Sequence, residues 1–361
     1  MSVTVEQVLA ALSGVKDPAT GREIVADQVS DVRIDAAGEA TFRIDLISPG
    51  FPLRDALEAS VRAALAARNL RGTIEWGLKV PQKPARQDLN RLPTVKNILA
   101  VAAGKGGVGK STVSVNVATA LHRLGAKVAL LDADIYGPSV PKMLGTPERE
   151  TSTTLAGDRI SPALYRGIPV MSVAFFVEPG NAVVWRGPMI HKLLKQFLED
   201  VDWGDIDYLI VDLPPGTGDA QLSLAQLIPI TGSIMVTTPQ EVALIDVRRA
   251  VNMFNKLEVP VVGVVENMSY YVCPSCGHHD AIFASGGGAA LARELGVELL
   301  GQVPIDNKVS YGGESGVPVV EGAPDSEQAK AFTSVAARAA LALSKLSATG
   351  PKRSSLLRTV T

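Results

Sequence analysis

The sequence predicts an α/β protein in which a doubly wound, mostly parallel sheet follows a small α+β domain. Three observations carry that expectation. Six apolar runs, NILAVAAG, KVALLDAD, DYLIVDLP, GSIMVTTP, VPVVGVVEN and VELLGQVP, alternate with stretches of helical periodicity, the pattern of parallel strands covered on both faces. The first eighty residues follow a different order, α, β, β, α, β. Between the two lies KVPQKPARQDLNRLPTVK, whose three Pro and few apolar residues read as a linker.

In chain order, helical spacing opens at Val5 to Leu12. VSDVRIDAAG and EATFRIDLIS then form a hairpin turning at Ala36 to Gly38. Leu53, Leu57, Val61, Ala64 and Leu65 recur on one helical face, and GTIEWGLKV closes the unit as a strand. In the larger part, the irregular stretch Thr151 to Phe176 between the second and third apolar runs is expected to add a hairpin and further strand. SEQAKAFTSVAARAALALSKL is expected to pack on the sheet as a last helix, and TGPKRSSLLRTV to be a disordered tail. The expected division is therefore 1–80, a linker at 81–96, a large domain at 97–346 and a tail at 347–361.

Composition narrows the function. A chain of 361 residues has room for about two domains, and 46% hydrophobic with 20% charged residues excludes a disordered protein. Thirty-five basic against thirty-seven acidic residues, a net charge of −2, supply no global field for nucleic acid or an anionic membrane, so neither is expected as a partner. Two Cys cannot staple so long a chain, which points to a reducing compartment. The N-terminal stretch has an acid where a signal peptide needs basic residues, and no apolar run approaches eighteen residues. A cytoplasmic protein is the expectation.

The chemistry begins at GKGGVGKS, which fits G-x-x-x-x-G-K-[ST] and stands between an apolar strand and a helix. The candidate phosphate-binding set is Gly104, Lys105, Gly106, Gly107, Val108, Gly109, Lys110, Ser111 and Thr112. Main-chain N–H groups there converge on an anion, Lys110 reaches the terminal phosphates, and the Ser111 hydroxyl can ligate Mg2+. Asp132 and Asp134 end the second apolar run at the carboxyl edge, where open α/β sheets bind ligands. Asp134 is expected to orient an attacking water, with Asp132 supporting the loop. Asp212 ends the third run, where a carboxylate holds magnesium through its water shell. The Gly216 N–H is expected to sense a γ-phosphate, and Asn267 to read an adenine edge.

The two Cys form C-P-S-C, Cys273 and Cys276, followed by His278 and His279. A tetrahedral metal or iron-sulfur site usually needs four ligands, and one pair supplies two. Adjacent His residues complete it poorly, whereas a symmetric dimer brings four thiolates together. A redox pair and a plain turn stay open as readings.

GKGGVGKS with Lys105 resembles the deviant Walker A class, in which that Lys reaches a neighbouring subunit's nucleotide; the resemblance makes Lys105, Lys110 and Asp134 the catalytic candidates. Together with DADIYGPS, WRGPMI, DYLIVDLPPGTGD, ENMS and CPSCG, the chain from about Lys96 to Leu346 resembles the Mrp/ApbC family of the ParA and MinD superfamily. That resemblance implies a homodimer, ATP hydrolysis, a [4Fe-4S] cluster bridged by the paired cysteines, and delivery to apo-proteins alongside cluster assembly proteins. Zn2+ can replace the cluster under air. The N-terminal unit resembles a PaaD-like assembly domain, with Phe51 where such domains commonly carry Cys, which leaves docking as its implied role. The alternative is a ParA/MinD-like positioning ATPase with a structural zinc site. A nitrogenase iron-protein type of donor has its cysteines far apart in sequence, unlike C-x-x-C.

Overall fold

The computed structural model describes residues 3–82, 92–146, 159–176 and 187–349. They form two compact units: Met1–Lys83 with Ala340–Thr361, and Pro84–Ala339.

The first unit opens with α1 (Val5–Leu12), started by a capping box in which Thr4 and Gln7 each accept the other's main-chain N–H. After the short α2 (Ile24–Asp27) come β1 (Val29–Ile34) and β2 (Ala40–Leu46), paired antiparallel as the alternation predicts. A crossover through α3 (Arg54–Ala66) returns the chain to β3 (Gly72–Leu78), parallel to β2. Val8 and Leu12 of α1, Phe42 and Ile44 of β2, and Leu57, Val61 and Leu65 of α3 make the core. Phe51 lies inside it, 4% exposed, so this position turns an aromatic ring inward.

In the second unit the expected strands appear as β4 (Val95–Ala103), β5 (Val128–Asp132), β8 (Ile206–Asp212), β9 (Gly232–Thr237), β10 (Val261–Val272) and β12 (Glu298–Ile305). The stretch after residue 159 adds the antiparallel hairpin of β6 (Ala163–Tyr165) and β7 (Ile168–Ser172); residues 151–158 lie outside the described residues. The sheet runs β6-β7-β5-β8-β4-β9-β10, parallel throughout except for β6. β12 pairs in parallel with β10, and the two-residue β11 (His279–Asp280) adds antiparallel to the end of β10.

Helices α4 (Lys110–Arg123), α5 (Val140–Leu144), α6 (Gly187–Glu199), α7 (Asp219–Leu227), α8 (Glu241–Lys256) and α9 (Gly287–Leu295) connect these strands. After β12 follow α10 (Asn307–Ser315), α11 (Val319–Gly322) and α12 (Glu327–Thr349). Every residue of β5, β8 and β9 is buried, which is why they read as unbroken apolar runs.

Three boundaries differ from the sequence reading. β4 starts at Val95, inside the expected linker, because Thr94 O already accepts the Ile206 N–H of the neighbouring chain segment. From Ala340 on, α12 belongs to the first unit rather than to the large sheet: Leu341 joins that unit's core and Ser344 Oγ donates to Ile47 O at 2.8 Å. α12 also continues to Thr349, three residues into the expected tail. The remainder of that tail lies outside the described residues. Among the described residues no helix is long and apolar enough to cross a membrane.

Candidate functional site

The central strand β4 delivers the chain into the Gly104–Ser111 loop, and the loop runs into α4. Its glycines are dictated by geometry. Gly107 and Gly109 have φ of +79° and +81°, which side chains rarely adopt. A Cβ on Gly104 would enter the main chain at Asp246 and Val247, where α8 passes. Val108 is buried and anchors the loop, while Gly106 and Gly107 face solvent. Lys110, 6% exposed, holds its Nζ 2.7 Å from Asp212 Oδ2 and 3.6 Å from Asp134 Oδ2. Ser111 Oγ donates to Asp212 Oδ2 at 2.6 Å, and Ser114 Oγ donates to Asp212 Oδ1 at 2.6 Å. Thr112, half-buried, continues the first turn of α4.

Asp132 and Asp212 end adjacent strands in direct register. Burial, reinforced by the neighbouring Asp212 charge, pushes the Asp132 carboxyl up to about 7, with Lys110 opposing. It accepts hydrogen bonds from the main-chain N–H groups of Asp134 and Val140 and from Ser172 Oγ, so it ties the loop after β5 to β7. Burial also raises Asp134, again against Lys110, and its Oδ1 is buried without a hydrogen-bond partner. Three carboxylates around one ammonium leave the cluster short of positive charge.

Magnesium fits that donor set, since Ser111, Asp212 and Asp134 offer hard oxygens at the loop. Among the described residues no three His, Cys, Asp or Glu side chains group into an all-protein metal site. Lys105 is half-buried, and its ammonium makes no ion pair with a described residue.

Two expected contacts take another form. The Gly216 N–H donates to Ala103 O at 3.0 Å, so here it closes the loop after β8 onto β4 rather than facing a phosphate. Pro214 and Pro215 before it have no N–H to offer. Asn267, 5% exposed at the edge of the site, donates from Nδ2 to Val108 O at 2.9 Å and so braces the phosphate loop.

Immediately after Asn267, Met268 has a φ of +54° in the middle of β10, and the pairing with β12 shifts there. Past this bulge β10 continues to Val272 and, with β11, carries a hairpin. Its tip is Cys273 to His278, closed by Cys273 N to His278 O at 2.9 Å and Gly277 N to Cys273 O at 2.8 Å. Cys273 is half-buried and Cys276 exposed. Main-chain N–H groups of Ser275 and Cys276, then the Cys276 side chain, hold the Cys273 thiol below the usual thiol range. The His279 ring stacks on Tyr270 with centroids 4.8 Å apart, so it lies flat against the strand. The two thiols stand together, and no third ligand of the described residues joins them.

Residues 94–340 match the family described as NUBPL iron-transfer P-loop NTPase, under the ParA heading, and residues 5–76 match the family described as iron-sulfur cluster assembly protein. The chain belongs to the NUBPL-type P-loop NTPases. It is 44% identical over 342 residues to an iron-sulfur cluster carrier protein of Synechocystis, covering 92% of this chain and 96% of that one. A carrier of the same description from Escherichia coli is 45% identical over 309 residues, covering 84% and 83%. Among solved structures, a nucleotide-binding protein of Archaeoglobus fulgidus in complex with ADP superposes with a TM-score of 0.56 at 37% identity, over 63% of this chain and 88% of that one. The cell division ATPase MinD of Pyrococcus furiosus, 23% identical with a TM-score of 0.50 over 67% and 97%, shares the fold.

The site of this NUBPL-type NTPase also contains residues that the motifs did not reveal. Ser114 grips Asp212 from one turn into α4, a position signalled only by a hydroxyl on the helix's buried face. Ser172 reaches Asp132 from β7 across forty residues, and nothing local marks it. Glu266, fully buried beside Asn267, accepts from the Gly288 N–H, from Ser269 Oγ at 2.5 Å and from Gln302 Nε2 at 2.7 Å, and so fastens α9 to β10. A lone acid inside an apolar strand run was its signal.

Proposed function

We propose that the protein binds and hydrolyses ATP with Mg2+ and carries an iron-sulfur cluster, bridged between two copies, for transfer to apo-proteins. The observation that carries the reading is the cysteine hairpin. Two thiols converge at an exposed tip on a unit whose described residues offer no third ligand, so a four-thiolate site needs a second chain. Two copies supply four sulfurs and a [4Fe-4S] cargo that is reachable from outside, as transfer demands. The family and the named carriers support the same cargo.

In the nucleotide site, Lys110 and the loop N–H groups hold the β- and γ-phosphates. MgATP would draw Lys110 and Ser111 away from Asp212, their partner here. Ser111 and, through water, Asp212 would hold magnesium, which would supply charge neutralisation. Lys105, without an ion pair among the described residues, is available to stabilise the transition state across a dimer, and Asp134 stands beside Lys110, as Asp212 does. Asn267 acts on the nucleotide through the loop it braces.

Anaerobic reconstitution with iron and sulfide tests the reading. The expected product absorbs broadly in the visible and holds about four iron per dimer. Zn2+ bound at one ion per monomer, unchanged on dilution, would instead support a self-contained site and the positioning-ATPase alternative.

A further inference from the structure

Gln221 stands in the first turn of α7, 1% exposed, and among the described residues neither its Oε1 nor its Nε2 has a hydrogen-bond partner. Buried amides almost always find partners, so an unpaired one marks a place where something else binds. Asp134 Oδ1 is in the same condition. Both residues line one open cleft of about 500 Å³, with Tyr136, Gly137, Pro214 and Pro215 in its wall. The cleft adjoins the phosphate loop on two sides. Asp134 Oδ2 is 3.6 Å from Lys110 Nζ, and Pro215 is the nearest neighbour a Cβ on Gly106 would meet. A terminal phosphate fixed by Lys110 would therefore have its outer face toward this cleft.

The geometry points to Gln221 as a water-positioning residue for nucleotide hydrolysis, acting beside Asp134. This rests on the ATPase reading and names a further residue for it. An amide is suited to the task because it is donor and acceptor at once and stays neutral at every working pH. Oε1 accepts a hydrogen bond from the attacking water, and Nε2 donates one to a γ-phosphate oxygen, which sets the water in line. The water oxygen bonds to the γ-phosphorus as the bond to the β–γ bridging oxygen breaks. ADP leaves with that electron pair, and the water's proton passes to the released phosphate. Asp134, buried and next to Lys110, orients the same water from the other side of the cleft.

The test compares wild type with Gln221→Leu and Gln221→Glu in the full-length protein. Leu keeps the volume and removes both polar atoms, so a purely structural amide would be replaced with unchanged or higher thermal stability and unchanged turnover. The water-positioning role instead lowers kcat about a hundredfold, as for loss of one transition-state donor, while the calorimetric Kd for ATP moves less than about threefold. Affinity for ADP with aluminium fluoride, which mimics the in-line transition state, falls in parallel with kcat. Gln221→Glu retains an acceptor but loses the donor, and it also slows; it decides the matter if the Leu variant does not fold. Wild-type turnover in both variants overturns the role of Gln221 and leaves the ATPase reading standing. Loss of ATP affinity equal to the loss of kcat would make Gln221 an ordinary binding residue and equally overturn it. A wild-type protein that binds ATP without hydrolysing it overturns both readings.

Discussion

The phosphate loop and the cysteine hairpin are both fastened to β10, yet they are built on opposite terms. At the loop, the chain supplies a partner for nearly every group: Lys110 sits on Asp212, Ser111 and Ser114 flank the same carboxylate, and Asn267 holds Val108. At the hairpin, five residues further along the strand from Met268, the chain supplies two soft ligands at an exposed tip and stops. A buried, self-braced site can bind its ligand as a monomer. On the proposed reading, the incomplete, exposed one binds as part of an assembly, and what it binds can leave again.

The comparison breaks most sharply at the cysteines. Cys273→Ala or Cys276→Ala should each abolish the visible absorption and the bound iron altogether, since either removes two of four ligands from a shared site. ATP affinity measured by calorimetry should not change, because no cysteine approaches the loop. Retention of half the iron would show that each chain binds its metal alone.

Lys110→Ala is the matching break on the other side. It should weaken ATP binding about a hundredfold, in line with the loss of charge-assisted hydrogen bonds worth up to about 3 kcal/mol. Iron loading should be untouched. Lys105→Ala should leave ATP affinity and thermal stability near wild type while turnover falls, because Lys105 makes no ion pair with a described residue. Equal loss of affinity in the two variants would place both Lys on the same bound phosphate.

Asp212→Asn acts through stability. It leaves the Lys110 ammonium buried against a neutral amide, with only the more distant carboxyl groups of Asp134 and Asp132 to balance it. Breaking a buried pair in this way costs about 3 kcal/mol, which calorimetric unfolding would read as a lower Tm without nucleotide. MgATP should recover part of the loss, since its phosphates give Lys110 a new counter-charge. No change in the nucleotide-free Tm would mean that the pair contributes nothing net.

The contrast also explains what the sequence could show. The phosphate loop was legible because its chemistry is contiguous: spacing, glycines and the Lys-Ser pair lie within eight residues of a strand end. The parallel strands were legible because burial on both faces leaves continuous apolar runs such as β8. Partners joined through space were not. Ser114 and Ser172 meet their carboxylates across ninety-eight and forty residues, and the Gly216 N–H donates to Ala103 O, a main-chain pairing that no side-chain pattern records. The end of α12 reads as one amphipathic helix, yet Leu341 and Ser344 serve the first unit. The cysteine pair was legible as a pair, and among the described residues no third ligand joins it.

The smallest expected effect discriminates two readings of Asn267. If its amide reads the adenine edge, Asn267→Ala should relax discrimination between ATP and GTP, because a base-specific hydrogen bond is lost for one nucleotide only. If it braces the loop, as the 2.9 Å bond to Val108 O indicates, the variant should weaken both nucleotides alike. One hydrogen bond to a buried carbonyl is worth about 1 kcal/mol, so the expected change is about fivefold in Kd for each, with their ratio preserved. The carbonyl is left without its donor, which also loosens the stretch of β10 between the loop and the Met268 bulge. Iron retention on dilution should therefore decline modestly in the same variant, whereas a base-reading residue would leave it unchanged. A Kd ratio that shifts with iron retention intact would restore the adenine contact and detach the hairpin from the nucleotide site.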